Sequence, residues 1–352
     1  MYHHWWDIYH CNNENQGAMM KIGFFEIENW ERAHLKKGFS RDKLFFSENR
    51  LNSVNVKKFK DLEAVGVFIK SDLSKKVLDQ LPKLKLITTM STGYDHIDLN
   101  ECKKRKIVVS NVPVYGENTV AEHTFALILG LSRKLVSCVE RTKDGSFDLT
   151  GLRGFDVMGK TLGVVGGGNI GQHVVKMGKG FEMDVLVFDI QRDLKLANKM
   201  GFKYCSLEML LKKSDIVTLH VPYNKHTHHL IDSKALAKMK KGSLLINTSR
   251  GGVVDTMALV RYLKNGKLLG AGLDVLEEEK ALMEEAQLAK KKHWKHKDTR
   301  VLKADHALLK MNNVLITPHN AFNTTEALMR IINTTVENIK GFKKGKKVNL
   351  VK

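Results

Sequence analysis

From Met20 onward the chain alternates short apolar runs, rich in β-branched and aromatic residues, with segments of helical spacing. KIGFFE (21–26), KLFFS (43–47), AVGVFI (64–69), LKLITTM (84–90) and KIVVSNV (106–112) predict five strands. The intervening NWERAHLKK and NVKKFKDL repeat apolar residues at helical intervals, so successive strands are joined by crossovers. Crossovers of that kind make a parallel sheet with helices on both faces. A second series, TLGVVG (161–166), DVLVFD (184–189), DIVTLHV (215–221), SLLINTS (243–249), LGAGLDVL (269–276) and NVLITPH (313–319), predicts six more strands. Six is the number in a complete dinucleotide-binding sheet. Between the two series, NTVAEHTFALILGLSRKLV (118–136) predicts one long, mostly apolar helix, buried between domains or against another subunit.

A length of 352 residues suits about two domains. With 43% hydrophobic and 27% charged residues the composition is that of a soluble globular protein. No apolar run reaches the roughly 18 to 20 residues that span a bilayer, and no secretory signal opens the chain, so a cytoplasmic protein without a membrane partner is expected. Cys11, Cys102, Cys138 and Cys205 lie far apart without a C-x-x-C pair, which predicts reduced thiols and no metal site. Residues 1–19, MYHHWWDIYHCNNENQGAM, lack periodicity and read as a disordered or vector-derived leader outside the fold.

The formal net charge of +20 raises nucleic acid as a partner. Half of the excess falls in residues 280–352, mostly in KKKHWKHK (290–297) and KKGKK (343–347). The reading adopted is a solvated lysine-rich surface that attracts anionic substrates, with a nucleic-acid or other polyanion site as the alternative.

GVVGGGNIG sets Gly166, Gly168 and Gly171 in G-x-G-x-x-G spacing between an apolar strand and a helix. In this setting the first glycine permits the turn, the second lets backbone approach a pyrophosphate, and the third packs helix on strand. Asn169 and Ile170 complete the loop at the helix start, where amide hydrogens and the helix dipole favour an anion. Asp189 ends the next strand, where a carboxylate bonds both ribose hydroxyls and repels a 2′-phosphate. NAD is therefore expected over NADP, and Arg192 is the one feature that leaves room for NADP.

With STGYDHIDL (91–99), SNVPVYGENTVAEHTFALIL (110–129), DIVTLHVP (215–222), LINTSRGGVVD (245–255), GLDVLEEE (272–279) and TPHNAF (317–322) in the same order, the chain from Met20 to Val348 resembles the D-isomer-specific 2-hydroxyacid dehydrogenases, D-lactate dehydrogenase-like branch. The resemblance implies two α/β domains. The NAD-binding Rossmann domain, a doubly wound parallel sheet, would take residues 117–320. A flavodoxin-like substrate domain would take 20–116 with 321–352. It further implies a homodimer built around the 118–136 helix and an active site in the interdomain cleft.

The catalytic roles fall by resemblance on Arg250, Glu279 and His319. Arg250 would bind the substrate carboxylate and keto oxygen, His319 would supply the proton, and Glu279 would hydrogen-bond His319. The amides around Thr92 and Gly93 would hold the carboxylate, with Tyr115 lining the pocket. Asp274 would face the nicotinamide carboxamide, while His220, Val221, Pro222 and Thr248 would lie along the cofactor.

Chemistry agrees with these roles. An arginine fork meets a carboxylate bidentately and keeps its charge, and a histidine beside a carboxylate holds a proton near neutrality. The implied reaction interconverts a small 2-keto acid and a D-2-hydroxy acid with NADH. Each residue also has a structural reading: Arg250 paired with a helix end, Glu279 on an exposed face, His319 as a hydrogen-bonded core histidine. Because Glu279 closes a run of three glutamates, its register is open by one residue. The 39 residues between Glu279 and His319 suit the lactate-type branch better than glyoxylate or hydroxypyruvate reductases, which remain an alternative. So does an NAD-sensing corepressor of the same superfamily, whose motifs are similar.

Overall fold

A computed structural model describes residues 19–279, 281, 282 and 300–351. The segment 1–18, with Cys11, and the basic stretch 290–297 lie outside the described residues. The chain forms two compact units, Met1–Tyr115 with Thr324–Lys352 and Gly116–Asn323.

The first unit carries five parallel strands: β1 (Lys21–Phe25), β2 (Lys43–Ser47), β3 (Ala64–Val67), β4 (Leu86–Thr89) and β5 (Val108–Ser110). Their order is β2-β1-β3-β4-β5, the flavodoxin-like arrangement. Phe25, Val65, Val67 and Ile87 pack in one core with Leu73 and with Leu78 and Cys102 from the helical layer. The C-terminal helix, Thr325–Lys343, also belongs to this unit, and its Asn338 ties it to β4 and to the strand end at Asn111.

The second unit carries β6 (Thr161–Val165), β7 (Asp184–Phe188), β8 (Lys203–Tyr204), β9 (Ile216–Leu219), β10 (Ser243–Asn247), β11 (Leu268–Leu273) and β12 (Val314–Ile316). All pair in parallel in the order β12-β11-β10-β9-β6-β7-β8. This is the Rossmann order, β8-β7-β6-β9-β10-β11, with β12 added beyond β11, and the strand order reverses between β6 and β9. The strand not among the six expected from the sequence is β8. Its two residues bond to Leu186 and Val187 at the sheet edge, too short a run to show an apolar pattern.

Alternate strand residues face two cores. Leu162, Val164, Ile216 and Ile246 meet Phe125, Ile128 and Val174, whereas Val165, Val217, Leu219 and Leu245 meet Leu210, Leu236 and Leu259. Several helices start where a side chain satisfies a free first-turn amide: Asp98, Asp193, Ser206, Asp232, Asp255 and Thr324 each accept from the amide three residues on.

The helix expected over 118–136 is instead two helices, Glu117–Ser132 and Leu135–Lys143. Lys134 has φ 51° and turns the chain between them. The Ser132 carbonyl, which a continuing helix would use, accepts from the Phe155 amide at 2.9 Å. The Lys134 ammonium reaches the Gly151 carbonyl at 2.6 Å. Tertiary contacts from residues 151–155 thus end a helix that its own apolar pattern would continue.

Candidate active site

In the second unit the singled-out residues follow the C-terminal ends of adjacent parallel strands, the edge at which open α/β sheets bind ligands. Gly166 follows β6, Asp189 follows β7, His220 follows β9, Arg250 follows β10, Asp274 and Glu279 follow β11, and His319 follows β12.

At the reversal between β6 and β9, Gly166 adopts φ 100°, and a Cβ there would stand 2.5 Å from the His220 carbonyl oxygen. A Cβ on Gly171 would stand 2.0 Å from the Gly166 carbonyl oxygen, so the helix Asn169–Gly180 could not pack down on the loop with any larger residue. Gly168 differs: nothing lies within 4 Å of where its Cβ would be. Open ground therefore faces the backbone at the helix N-terminus, where the first-turn amides have no intrahelical acceptor. The side chain of Asn169 turns aside to Glu117 at 3.4 Å.

Asp189 holds the loop from the next strand, its Oδ2 accepting from the Gly167 amide at 2.7 Å and Oδ1 from the Gln191 amide at 2.8 Å. Open backbone, helix N-terminus and carboxylate together fit the pyrophosphate and ribose of NAD. Arg192 is turned to the Cys205 carbonyl at 3.4 Å.

His220 bonds Thr218 through Nε2 at 2.9 Å, and its Nδ1 is buried without a partner among the described residues. Burial pushes its pKa down to about 3, so this imidazole is neutral. Val221 and Pro222 continue the turn. Thr248 is buried and shares a hydrogen bond with Thr124 at 2.9 Å.

Arg250 sits on a turn that Asn247 fixes. The Asn247 amide donates to the Arg250 carbonyl at 2.9 Å, and its Oδ1 accepts from the Ser249 amide and hydroxyl at 3.0 and 2.8 Å. A Cβ on Gly251 would fall 2.1 Å from the Leu276 carbonyl. Only glycine lets the arginine turn pass so close to the turn after β11.

That second turn resolves the run of three glutamates. Glu277 accepts from His229 at 2.7 Å and from the Thr256 amide at 3.3 Å. Glu278 donates its amide to Asp305 at 3.0 Å. Glu279 places its oxygens 3.1 and 3.2 Å from His319 Nδ1. A carboxylate only accepts, so Nδ1 carries a proton and Nε2 is the working nitrogen; it has no partner among the described residues. Asp305, fully buried, has its pKa pushed up to about 7, mainly by burial and further by the charges of Glu277 and Glu278, against the Glu278 amide bond.

His319 itself has φ 55° and donates its amide to the Asp274 and Thr317 carbonyls, both at 2.9 Å. The Asp274 side chain wraps the same turn: Oδ1 accepts from the Thr317 hydroxyl and from the Asn320 amide at 2.7 Å, Oδ2 from the Ala321 amide at 2.9 Å. Burial works to raise the Asp274 pKa, but bonds from His123, Thr317 and the two amides outweigh it and hold the carboxyl below its ordinary value. Asn247, Thr317 and His123 were not singled out from the sequence; each acts on residues brought near only by folding.

In the first unit, the Thr92–Gly93 turn is held by its carbonyls. Asn111 donates to the Thr92 carbonyl at 2.9 Å and the Ser91 hydroxyl to that of Gly93 at 2.6 Å. The amide hydrogens of Thr92 and Gly93 have no acceptor among the described residues and are free to take up an anion. Tyr115 is half-buried at the end of the unit's first segment.

The described residues contain no helix long and apolar enough to cross a membrane, and no group of three or more His, Cys, Asp or Glu side chains able to hold a metal ion. Cys102, Cys138 and Cys205 are free thiols.

Residues 125–321 match the family "D-isomer specific 2-hydroxyacid dehydrogenase, NAD binding domain". The D-lactate dehydrogenase of Escherichia coli is 34% identical, over 93% of this chain and 98% of that protein. A glyoxylate reductase of Thermococcus litoralis is also 34% identical, over 94% and 91%. The crystal structure of D-lactate dehydrogenase from Aquifex aeolicus, complexed with NAD and lactic acid, superposes with a TM-score of 0.82 at 38% identity, covering 92% of this chain and 96% of that one. The glycine loop with its aspartate, the Glu279–His319 pair and the arginine turn thus stand in a chain that belongs to the D-isomer-specific 2-hydroxyacid dehydrogenases, NAD-dependent enzymes of the D-lactate dehydrogenase-like kind.

Proposed function

We propose that this chain reduces pyruvate or a somewhat larger 2-keto acid to the D-2-hydroxy acid, and that Arg250, Glu279 and His319 are its catalytic residues. Bound NADH supplies the hydride that reaches the keto carbon. His319 delivers the proton from Nε2 to the oxygen that becomes the hydroxyl. Glu279 holds the ring through Nδ1 and stabilises its protonated form. Arg250 takes the substrate carboxylate and polarises the keto oxygen, and the Thr92 and Gly93 amides and Tyr115 are substrate-binding groups of the first unit.

The glycine loop from Gly166 to Gly171 cradles the pyrophosphate and Asp189 bonds the ribose. His220, Val221, Pro222 and Thr248 flank the cofactor. Asp274, whose Oδ1 accepts from Thr317 and the Asn320 amide and whose Oδ2 accepts from the Ala321 amide, faces the nicotinamide carboxamide in this reading. The observation that carries this reading is Glu279 against His319 Nδ1 with Nε2 unpartnered among the described residues.

A homodimer is part of the same proposal. Leu135, Val136 and Val139 on the second half of the broken helix are 56%, 43% and 44% exposed, and Phe147 and Leu149 nearby are 82% and 80% exposed. An apolar face of this kind marks an association surface. We place the protein in the cytoplasm, which suits its free thiols.

A panel of 2-keto acids with NADH and NADPH, followed by loss of nicotinamide absorbance, tests the activity. His319→Gln should lower kcat by about 10² to 10⁴ with NADH affinity unchanged. Near-normal turnover by that variant overturns the assignment.

A further inference from the structure

His123 lies on the helix Glu117–Ser132, 194 positions before Thr317. Its Nε2 stands 3.0 Å from the Thr317 hydroxyl oxygen and 3.4 Å from Asp274 Oδ1. The direction of these bonds follows from proton counting. Thr317 has one hydroxyl proton and gives it to Asp274 Oδ1, since an ionised carboxylate can only accept. Toward His123 the Thr317 oxygen is therefore an acceptor, and His123 Nε2 carries a proton. His123 Nδ1 has no partner among the described residues, and the side chain is 18% exposed. Asp274 is the one charged group within ion-pair reach of His123 among the described residues, and Glu122 beside it is turned to Asn118 at 3.0 Å.

The Asp274 carboxylate is 1% exposed and closes the 317–321 turn through one hydroxyl and two amides. In that turn His319 takes a left-handed backbone conformation, uncommon outside glycine, and the bonds around it hold it in place. We propose that His123 is a positioning residue of the active site: by donating from Nε2 to Thr317 and Asp274 it fixes the carboxylate, and through it the turn that aims His319 at the substrate. His123, Asp274 and Thr317, distant from one another in the chain, thereby support the turn that carries the proton donor. The proposal rests on the reading of His319 as the proton donor.

The test compares His123→Leu, which keeps bulk and loses the donor, with His123→Gln, whose amide nitrogen reaches the place of Nε2. With the wild-type enzyme, NADH and the best 2-keto acid of the panel, the leucine variant should lose at least tenfold in kcat while KM and NADH affinity stay within about twofold. The glutamine variant should recover most of that loss. Retention of kcat by the leucine variant overturns the proposal, and so does an equal loss in both variants when both melt like wild type. If the leucine variant does not fold, Thr317→Val removes the shared hydroxyl and should give the same selective loss of kcat; unchanged turnover there overturns the proposal. The His319 ring proton resonance, assigned by its disappearance in His319→Gln, provides a readout independent of turnover. It should shift in His123→Leu and return in His123→Gln. An unmoved resonance refutes the positioning role, whereas a wild-type protein that reduces no 2-keto acid refutes the reading of the activity.

Discussion

Two glycines of the cofactor loop give a paired prediction with opposite outcomes. In Gly171→Ala the new methyl would stand 2.0 Å from the Gly166 carbonyl oxygen, against the 3.4 Å at which ordinary contact begins. The loop and the helix Asn169–Gly180 must separate by about 1.4 Å, and overpacking of this degree costs about 1–3 kcal/mol. For a domain the size of the second unit that lowers Tm by about 3–10 °C. In Gly168→Ala the methyl meets nothing within 4 Å, and φ −66° with ψ −167° is open to any residue, so Tm should stay within about 1 °C. The same methyl occupies the ground over which a pyrophosphate would approach the first-turn amides. NADH should then bind at least tenfold more weakly, a loss of about 1.4 kcal/mol. Thermal melts of the free protein and NADH fluorescence titrations separate the two effects. Wild-type NADH affinity in Gly168→Ala would refute the reading of that open ground as the pyrophosphate site, and an unchanged melt in Gly171→Ala would refute the packing argument.

Asp189→Ala should relax discrimination against NADPH in kcat/KM, and an unchanged preference counts against a ribose role for this carboxylate. Asp305 binds its proton more tightly in the folded chain, at about 7 against an ordinary 3.8, so its contribution is full below about pH 4, is lost as the pH rises toward 7, and is gone above that. Asp305→Asn keeps an acceptor for the Glu278 amide and cannot ionise; it should melt above wild type at pH 8, by up to a few kcal/mol in stability, and like it at pH 4, and equal melts at pH 8 would refute the shift. Val139→Asp with Leu135→Lys should turn a dimer into a monomer in sedimentation velocity without lowering helical content. A dimer that persists would move the interface elsewhere.

Most strands were legible because parallel strands buried on both faces are apolar along their whole length, and each of the eleven expected runs overlaps one. β8 was not, since two edge residues carry no pattern. The break at Lys134 was hidden for another reason: local spacing favours helix through Val136, and the opposing contacts come from residues 151–155. In the site, Arg250, Glu279 and His319 could be named from their motifs, but the choice among Glu277, Glu278 and Glu279 needed the turn itself. His123 sits 194 positions from Thr317 in the chain, a separation over which no spacing rule reaches.

Gly251 carries a practical consequence. With a single carbon's width separating it from the Leu276 carbonyl, the arginine and glutamate turns interlock like adjacent teeth, and neither can be redesigned alone. Work to widen the substrate range should leave both turns untouched and vary side chains on other segments. Phe322, whose ring meets the His319 ring edge-on at a centroid distance of 6.5 Å, is the place to begin a focused library.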